Sequence, residues 1–221
     1  MNILFVTNKN VYPLIGGIER ITYAVAEALR NIYGMHCYSL YTQENVLGQT
    51  TEGVFEGKVC LSEKDQVEQI AAYIKGNAIN VVIAQGSDAR VNQLMPQLKE
   101  AANQCHGVKL LFVYHTMPSF ELKPIDADVL WHRLVKGKNK SAACKQALIQ
   151  ILTMVLPSVA KKMVAGKYQM PYNNSDKVVL LSDNYIQLYD QFVNGEPNHY
   201  AVIHNMLSFP MEELSRKDKQ K

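Results

Sequence analysis

Seven short apolar runs punctuate the chain: NILFVTN (2 to 8), CYSLYT (37 to 42), KVCLS (58 to 62), NVVIAQG (80 to 86), KLLFVYHT (109 to 116), KVVLLSD (177 to 183) and YAVIHNM (200 to 206). Several are apolar at nearly every position, the pattern of strands buried on both faces of a parallel sheet. Between them the period changes. Ile18, Ile21, Val25, Leu29 and Ile32 recur at three- and four-residue spacing, which predicts a helix over 18 to 32 with that stripe turned to the sheet. KDQVEQIAAYIKGN, ARVNQLMPQLKEAANQ and NYIQLYDQFVNG repeat the pattern. Strand and helix alternating with short connections predict an α/β, Rossmann-like, doubly wound and mainly parallel sheet of about seven strands. Helices should cover both faces, with the first strand near the middle.

One interval departs from this rhythm. Residues 117 to 176 hold a loop, MPSFELKPIDADV, and then helical material from about Leu130 to Lys167 that Pro157 should split. From Arg133 to Lys167 there are eight Lys and Arg residues and no Asp or Glu. The last segment, SFPMEELSRKDKQK, is polar and charged, as a domain end or the start of a linker would be.

Composition changes this picture little. With 221 residues, 48% apolar, 19% charged and a net charge of +3, the chain suits one well-buried domain and is not basic enough to suggest nucleic acid. Cys37, Cys60, Cys105 and Cys144 have no C-x-x-C spacing, which fits a reducing compartment. The pairs His36-Cys37 and Cys105-His106 lack metal-ligand spacing. No run approaches the roughly 20 apolar residues of a spanning helix, and no leader pattern opens the chain. The expected location is cytoplasmic.

The stretch YPLIGGIERITYAVAEALRNIY (12 to 33) places a Gly-Gly pair where the first strand hands over to the first helix. Ligands of doubly wound sheets bind at the carboxyl ends of the strands, where a helix N-terminus offers N–H groups to an anion. Glycine there lets a ligand approach the backbone closely. The dinucleotide fingerprint G-x-G-x-x-G is not met, because Gly16 and Gly17 are adjacent and follow a long loop. Glu44, at the end of the second strand, is the one residue left to an NAD reading.

Taken in order, NILFVTN, a loop with Pro13, GGIER, VYHTMP, SDKVVLLSDNYI and YAVIHNML resemble the N-terminal domain of retaining glycosyltransferases of family 4, which have the GT-B fold. The resemblance covers nearly the whole chain. It implies a Rossmann-like domain over 1 to 207, an interdomain linker beginning at 208 to 221, and a C-terminal donor-binding domain, with an E-x7-E motif, that these residues lack. It further implies transfer of a sugar from a nucleotide-sugar donor to a glycan or lipid-linked acceptor with retention of configuration, inactive without the second domain. Gly16 and Gly17 match the positions that face donor phosphate and sugar. His115 matches a histidine near the reacting centre, where the alternative is an imidazole satisfied by a backbone carbonyl. Glu19 either contacts acceptor or complements the helix dipole, and Arg20 either stays solvated or reaches an acceptor phosphate. Asp183 or Asn184 suits a helix cap, and Asn205 a turn before the linker.

Retention by front-face attack asks the protein mainly to stabilise the leaving phosphate and orient two sugars. No metal-binding D-x-D motif, metal or cofactor is expected. The basic interval has two readings: its apolar face packs on the sheet with the lysines solvated, or it rests on an anionic bilayer at the inner face of a membrane, as lipid-linked acceptors would suit. The competing functional class is a non-catalytic Rossmann-like module that binds a nucleotide or sugar phosphate.

Overall fold

The computed structural model describes residues 1–14, 16–44, 53–86, 89–137 and 140–204. All seven expected strands form, as β1 (Asn2–Lys9), β2 (His36–Gln43), β3 (Gly57–Cys60), β4 (Val81–Gly86), β5 (Lys109–Tyr114), β6 (Lys177–Leu180) and β7 (Tyr200–Val202). They make one sheet in the order β3-β2-β1-β4-β5-β6-β7, with every pairing parallel. The helices are α1 (Gly17–Tyr33), α2 (Gln66–Gly76), α3 (Ala89–Asn103), α4 (Ala127–Lys136), α5 (Lys140–Val155), α6 (Pro157–Asn173) and α7 (Asn184–Val193).

Strand alternation sends side chains to two unlike faces. Leu4, Val6, Leu40, Val82, Ala84, Leu110, Phe112, Tyr114, Val178 and Leu180 point to one face, where residues of α2, α3, α6 and α7 close a large core over them. Ile3, Phe5, Cys37, Val81 and Ile83 point to the other, against Ala26, Val25 and Leu29 of α1. The imbalance follows from chirality. Crossovers between parallel strands are right-handed, so a helix lies on one face when the chain steps toward one edge and on the opposite face when it steps back. The step from β1 to β2 carries α1, whereas β3 to β4 and the succession β4 to β7 carry the rest. Among the described residues, the α1 face of β4 to β7 therefore has no helix of its own.

Helix α1 is rotated from its expected setting. Its fully buried residues are Thr22 and Ala26, while Ile32 is 71% exposed and Ile21 and Val25 are half-buried. Small side chains let the helix lie close to the sheet, and the larger ones flank the contact. Thr22 satisfies its hydroxyl by donating to the Ile18 carbonyl at 2.7 Å. The helix ends at Gly34, whose φ of 61° is the left-handed setting glycine adopts without strain.

The long interval contains three helices rather than two, with the break at Pro157 as expected and another between α4 and α5. Its anchor is a half-buried ion pair between Lys167 and Glu121. Tyr168 donates to the second Glu121 oxygen at 2.6 Å and accepts from the Ser119 N–H at 2.9 Å. Burial raises the Glu121 carboxyl, but the Lys167 and Tyr168 bonds outweigh it and hold the group below its usual value. Gln146 and Gln150 of α5 tie down the same loop through the carbonyls of Glu121 and Lys123.

Of the four cysteines, Cys37 and Cys105 are buried in the core and Cys60 and Cys144 are exposed. Asp183 does stand at the start of α7, yet its side chain makes no capping hydrogen bond. No described helix is long and apolar enough to cross a membrane.

Candidate functional site

Because no helix among the described residues covers the α1 face of the central strands, that face forms a groove of about 340 Å³. Its floor follows from register: Gln85, Val113 and Val179 stand side by side across β4, β5 and β6, with Leu111 and Leu181 above and below. Phe5, Ile83 and the Ile21–Val25 side of α1 form one wall, and Ile203 closes the opposite end. The polar lining residues Arg20, Gln85, His115 and His204 come from the carboxyl side of the strands and the first turn of α1. The groove thus joins an apolar floor to a polar rim at the end of the sheet where such folds bind ligands.

His115 follows the last residue of β5, and its N–H donates to the Gly86 carbonyl at 3.2 Å. The ring nitrogen Nε2 meets the Gln85 side-chain oxygen. With that oxygen as acceptor, the proton resides on Nε2 and Nδ1 carries a lone pair. Nδ1 is buried without a partner among the described residues, as is the adjacent Thr116 hydroxyl. The imidazole thus keeps a spare acceptor, covered by its neighbours, that a ligand hydroxyl reaches once those side chains move aside. Gln85 was not singled out in the sequence, although a polar residue at the end of the apolar run NVVIAQG was a readable signal. Gly86 has a structural role here: a Cβ at that position would run into the Phe112 ring.

Desolvation pulls the His115 imidazole from 6.5 down to about 4. The ring is therefore neutral near pH 7. Between pH 6.5 and 4 the unfolded chain takes up a proton that the native ring refuses, so stability falls with falling pH by at most about 3 kcal/mol. His115→Gln should shrink the loss in urea-unfolding stability seen between about pH 7 and pH 4.5. An undiminished loss in the variant would mean that His115 titrates as an exposed histidine does.

The glycines sit where the sequence placed them, with a shorter lead-in than expected, since β1 extends to Lys9. Gly16 is the N-cap of α1 in an extended conformation with no side-chain cap, and Gly17 is the first helical residue. Ile15, between the loop and the pair, lies outside the described residues. A Cβ on Gly17 would meet nothing within 4 Å. A Cβ on Gly16 would collide with the Glu19 carboxylate, which folds back beside the N-cap as an acidic group in a first turn does. Glu19 is thus part of the helix start rather than of the groove lining. Arg20, one position on, is exposed and lines the groove, where it can meet an anion. His204 donates from Nδ1 to the Leu181 carbonyl at 3.2 Å and stands 4.0 Å from Asp183. Asn205 lies outside the described residues.

Glu44, the residue an NAD reading would use, accepts from Asn10 at 3.1 Å and from the Tyr41 hydroxyl at 2.6 Å. Although no metal-binding D-x-D is expected, Asp126-Ala127-Asp128 does spell that pattern. It is a helix start, with Asp126 accepting from the Asp128 N–H at 2.9 Å as the N-cap of α4. Among the described residues no group of three His, Cys, Asp or Glu side chains is placed to hold a metal ion.

No family model and no curated protein matches the sequence. Among solved structures, the chain is similar to a protein of Listeria monocytogenes described as a UDP-N-acetylglucosamine 2-epimerase. The TM-score is 0.50 at 10% identity, over 90% of this chain and 44% of that one. A second UDP-N-acetylglucosamine 2-epimerase matches at a TM-score of 0.48 and 10% identity, over 93% of this chain and 48% of that one. At such identity the likeness establishes the fold alone, an α/β Rossmann-like sheet. The chain spans about half the length of the structures it matches.

Proposed function

We propose that this chain is the acceptor-side half of a retaining glycosyltransferase that uses a nucleotide-sugar donor and works with a second, donor-binding domain. The observation that carries the reading is that Arg20, from the first turn of the glycine-opened helix α1, and the neutral His115 line one groove at the carboxyl end of the central strands. In this reading Gly16 and Gly17 give the donor phosphate and sugar access to the N–H groups of α1. The side chains covering His115 move aside on binding, so that Nδ1 accepts a sugar hydroxyl while Gln85 holds the ring, and Arg20 meets an acceptor phosphate. The ordered motifs from NILFVTN to YAVIHNML support glycosyl transfer, and the fold shared with sugar-nucleotide epimerases supports the coarser class of sugar-nucleotide enzyme. No metal is assigned a role, because the backbone N–H groups at the start of α1 can meet the leaving phosphate.

The test uses the chain joined to its second domain. A panel of UDP- and GDP-sugars should give acceptor-dependent release of nucleotide, with the product anomer matching the donor by NMR. Interconversion of UDP-N-acetylglucosamine and its 2-epimer without an acceptor would instead make the protein an epimerase. Residues 1 to 221 alone should bind nucleotide sugars weakly at best. Micromolar binding by calorimetry would favour the non-catalytic sensing module, since most donor contacts should come from the other domain.

A further inference from the structure

The α5–α6 hairpin presents an apolar tip to solvent. Ile151 is 60% exposed, Met154 75%, Val155 69% and Leu156 50%, and Val159 and Met163 continue the surface onto α6. Of its sixteen residues α5 fully buries three, Ala143, Ile149 and Gln150. The helix packs on α4, α6 and the loop at Glu121 to Lys123, and its remaining side faces solvent. A contiguous set of large apolar side chains at a protrusion marks an interaction surface, because single exposed apolar residues are common but clusters are not.

Charge selects the partner. Lys161 and Lys162 lie on α6 within about two turns of Leu156, and Lys140 and Lys145 lie along α5. No Asp or Glu occurs between Val129 and Ser175. Glu121, the acid packed against this unit, is paired with Lys167, eleven positions and about 16 Å of helix away from Leu156. A second copy of the chain would bring lysines against lysines. An anionic bilayer answers both features at once, with the apolar tip entering the boundary between headgroups and acyl chains and the lysine collar meeting lipid phosphates.

We propose that the α5–α6 tip is a peripheral membrane-docking element, specific for an anionic lipid surface. This inference stands apart from the proposed chemistry and does not depend on activity. Residues 1 to 221 should float with phosphatidylcholine vesicles in which about a third of the lipid is phosphatidylglycerol, and not with phosphatidylcholine alone, with binding weakened by salt. Val155→Ser/Leu156→Ser should lower the partition coefficient at least tenfold, and Lys161→Glu/Lys162→Glu should abolish the preference for anionic vesicles. Both variants should melt like the wild type, because the changed side chains are largely outside the core. Trp131 is the chain's single tryptophan, so Trp131→Phe with Leu156→Trp places one fluorophore at the tip, and its emission should shift to the blue on anionic vesicles. Three results would overturn the proposal: no flotation of the folded wild type with anionic vesicles, unchanged partition of the serine variant, or a solution dimer that the serine variant dissociates.

Discussion

Gly17→Val should lower sugar transfer by the proposed two-domain enzyme at least tenfold while leaving its melting temperature almost unchanged. The fold tolerates the new side chain because Gly17 is exposed at the first turn of α1 and a Cβ there meets nothing within 4 Å. The same open space is where the proposed donor approaches the helix N-terminus. Losing one or two close N–H contacts to developing negative charge is worth on the order of 3 kcal/mol in the transition state. A glycine substitution at an unstrained position changes stability by only about 1 kcal/mol. Comparing kcat/KM with Tm separates the two. His115→Ala should follow the same pattern with a smaller loss, since it removes one contact and adds no obstruction. Activity lost only in step with unfolding would leave the glycines as loop geometry.

Tyr168→Ala should produce the largest stability loss, about 4 to 5 kcal/mol. The ring is fully buried, stacked on Phe192 with centroids 4.1 Å apart and planes at 8°, and edge-on to Tyr189 at 5.2 Å. For a chain of this size that corresponds to a fall in Tm of roughly 10 °C or more. Tyr168→Phe keeps the stack and loses only the hydroxyl, which leaves the Ser119 N–H without its acceptor and Glu121 with one donor fewer. Its cost should be about 1 to 3 kcal/mol. Urea unfolding of the pair separates packing from hydrogen bonding. Equal losses would show that the Glu121 network, and not the aromatic stack, anchors α6 to the loop before α4.

The strands were legible because a parallel sheet demands near-continuous apolar runs, and all seven runs became its strands with ends shifted by a few residues. Pro157 announced its helix break because proline cannot supply the N–H a continuing helix needs. The Gly-Gly pair could be placed at the opening of α1 because a continuous apolar run gives way there to apolar residues at three- and four-residue spacing. Three things depended on the tertiary structure. The side of α1 that touches the sheet is set by how closely Thr22 and Ala26 allow the helix to approach, a matter of side-chain size across a contact that periodicity does not encode. The groove exists because right-handed crossovers send α2, α3, α6 and α7 to the same face, leaving Leu111, Val113 and Leu181 half-covered on the other. The partnership of His115 with Gln85 joins residues 30 positions apart, brought together by the parallel pairing of β4 with β5. A linear pattern records the burial each residue needs from its own element, whereas shared sites arise from register and handedness, which exist only once the strands have paired.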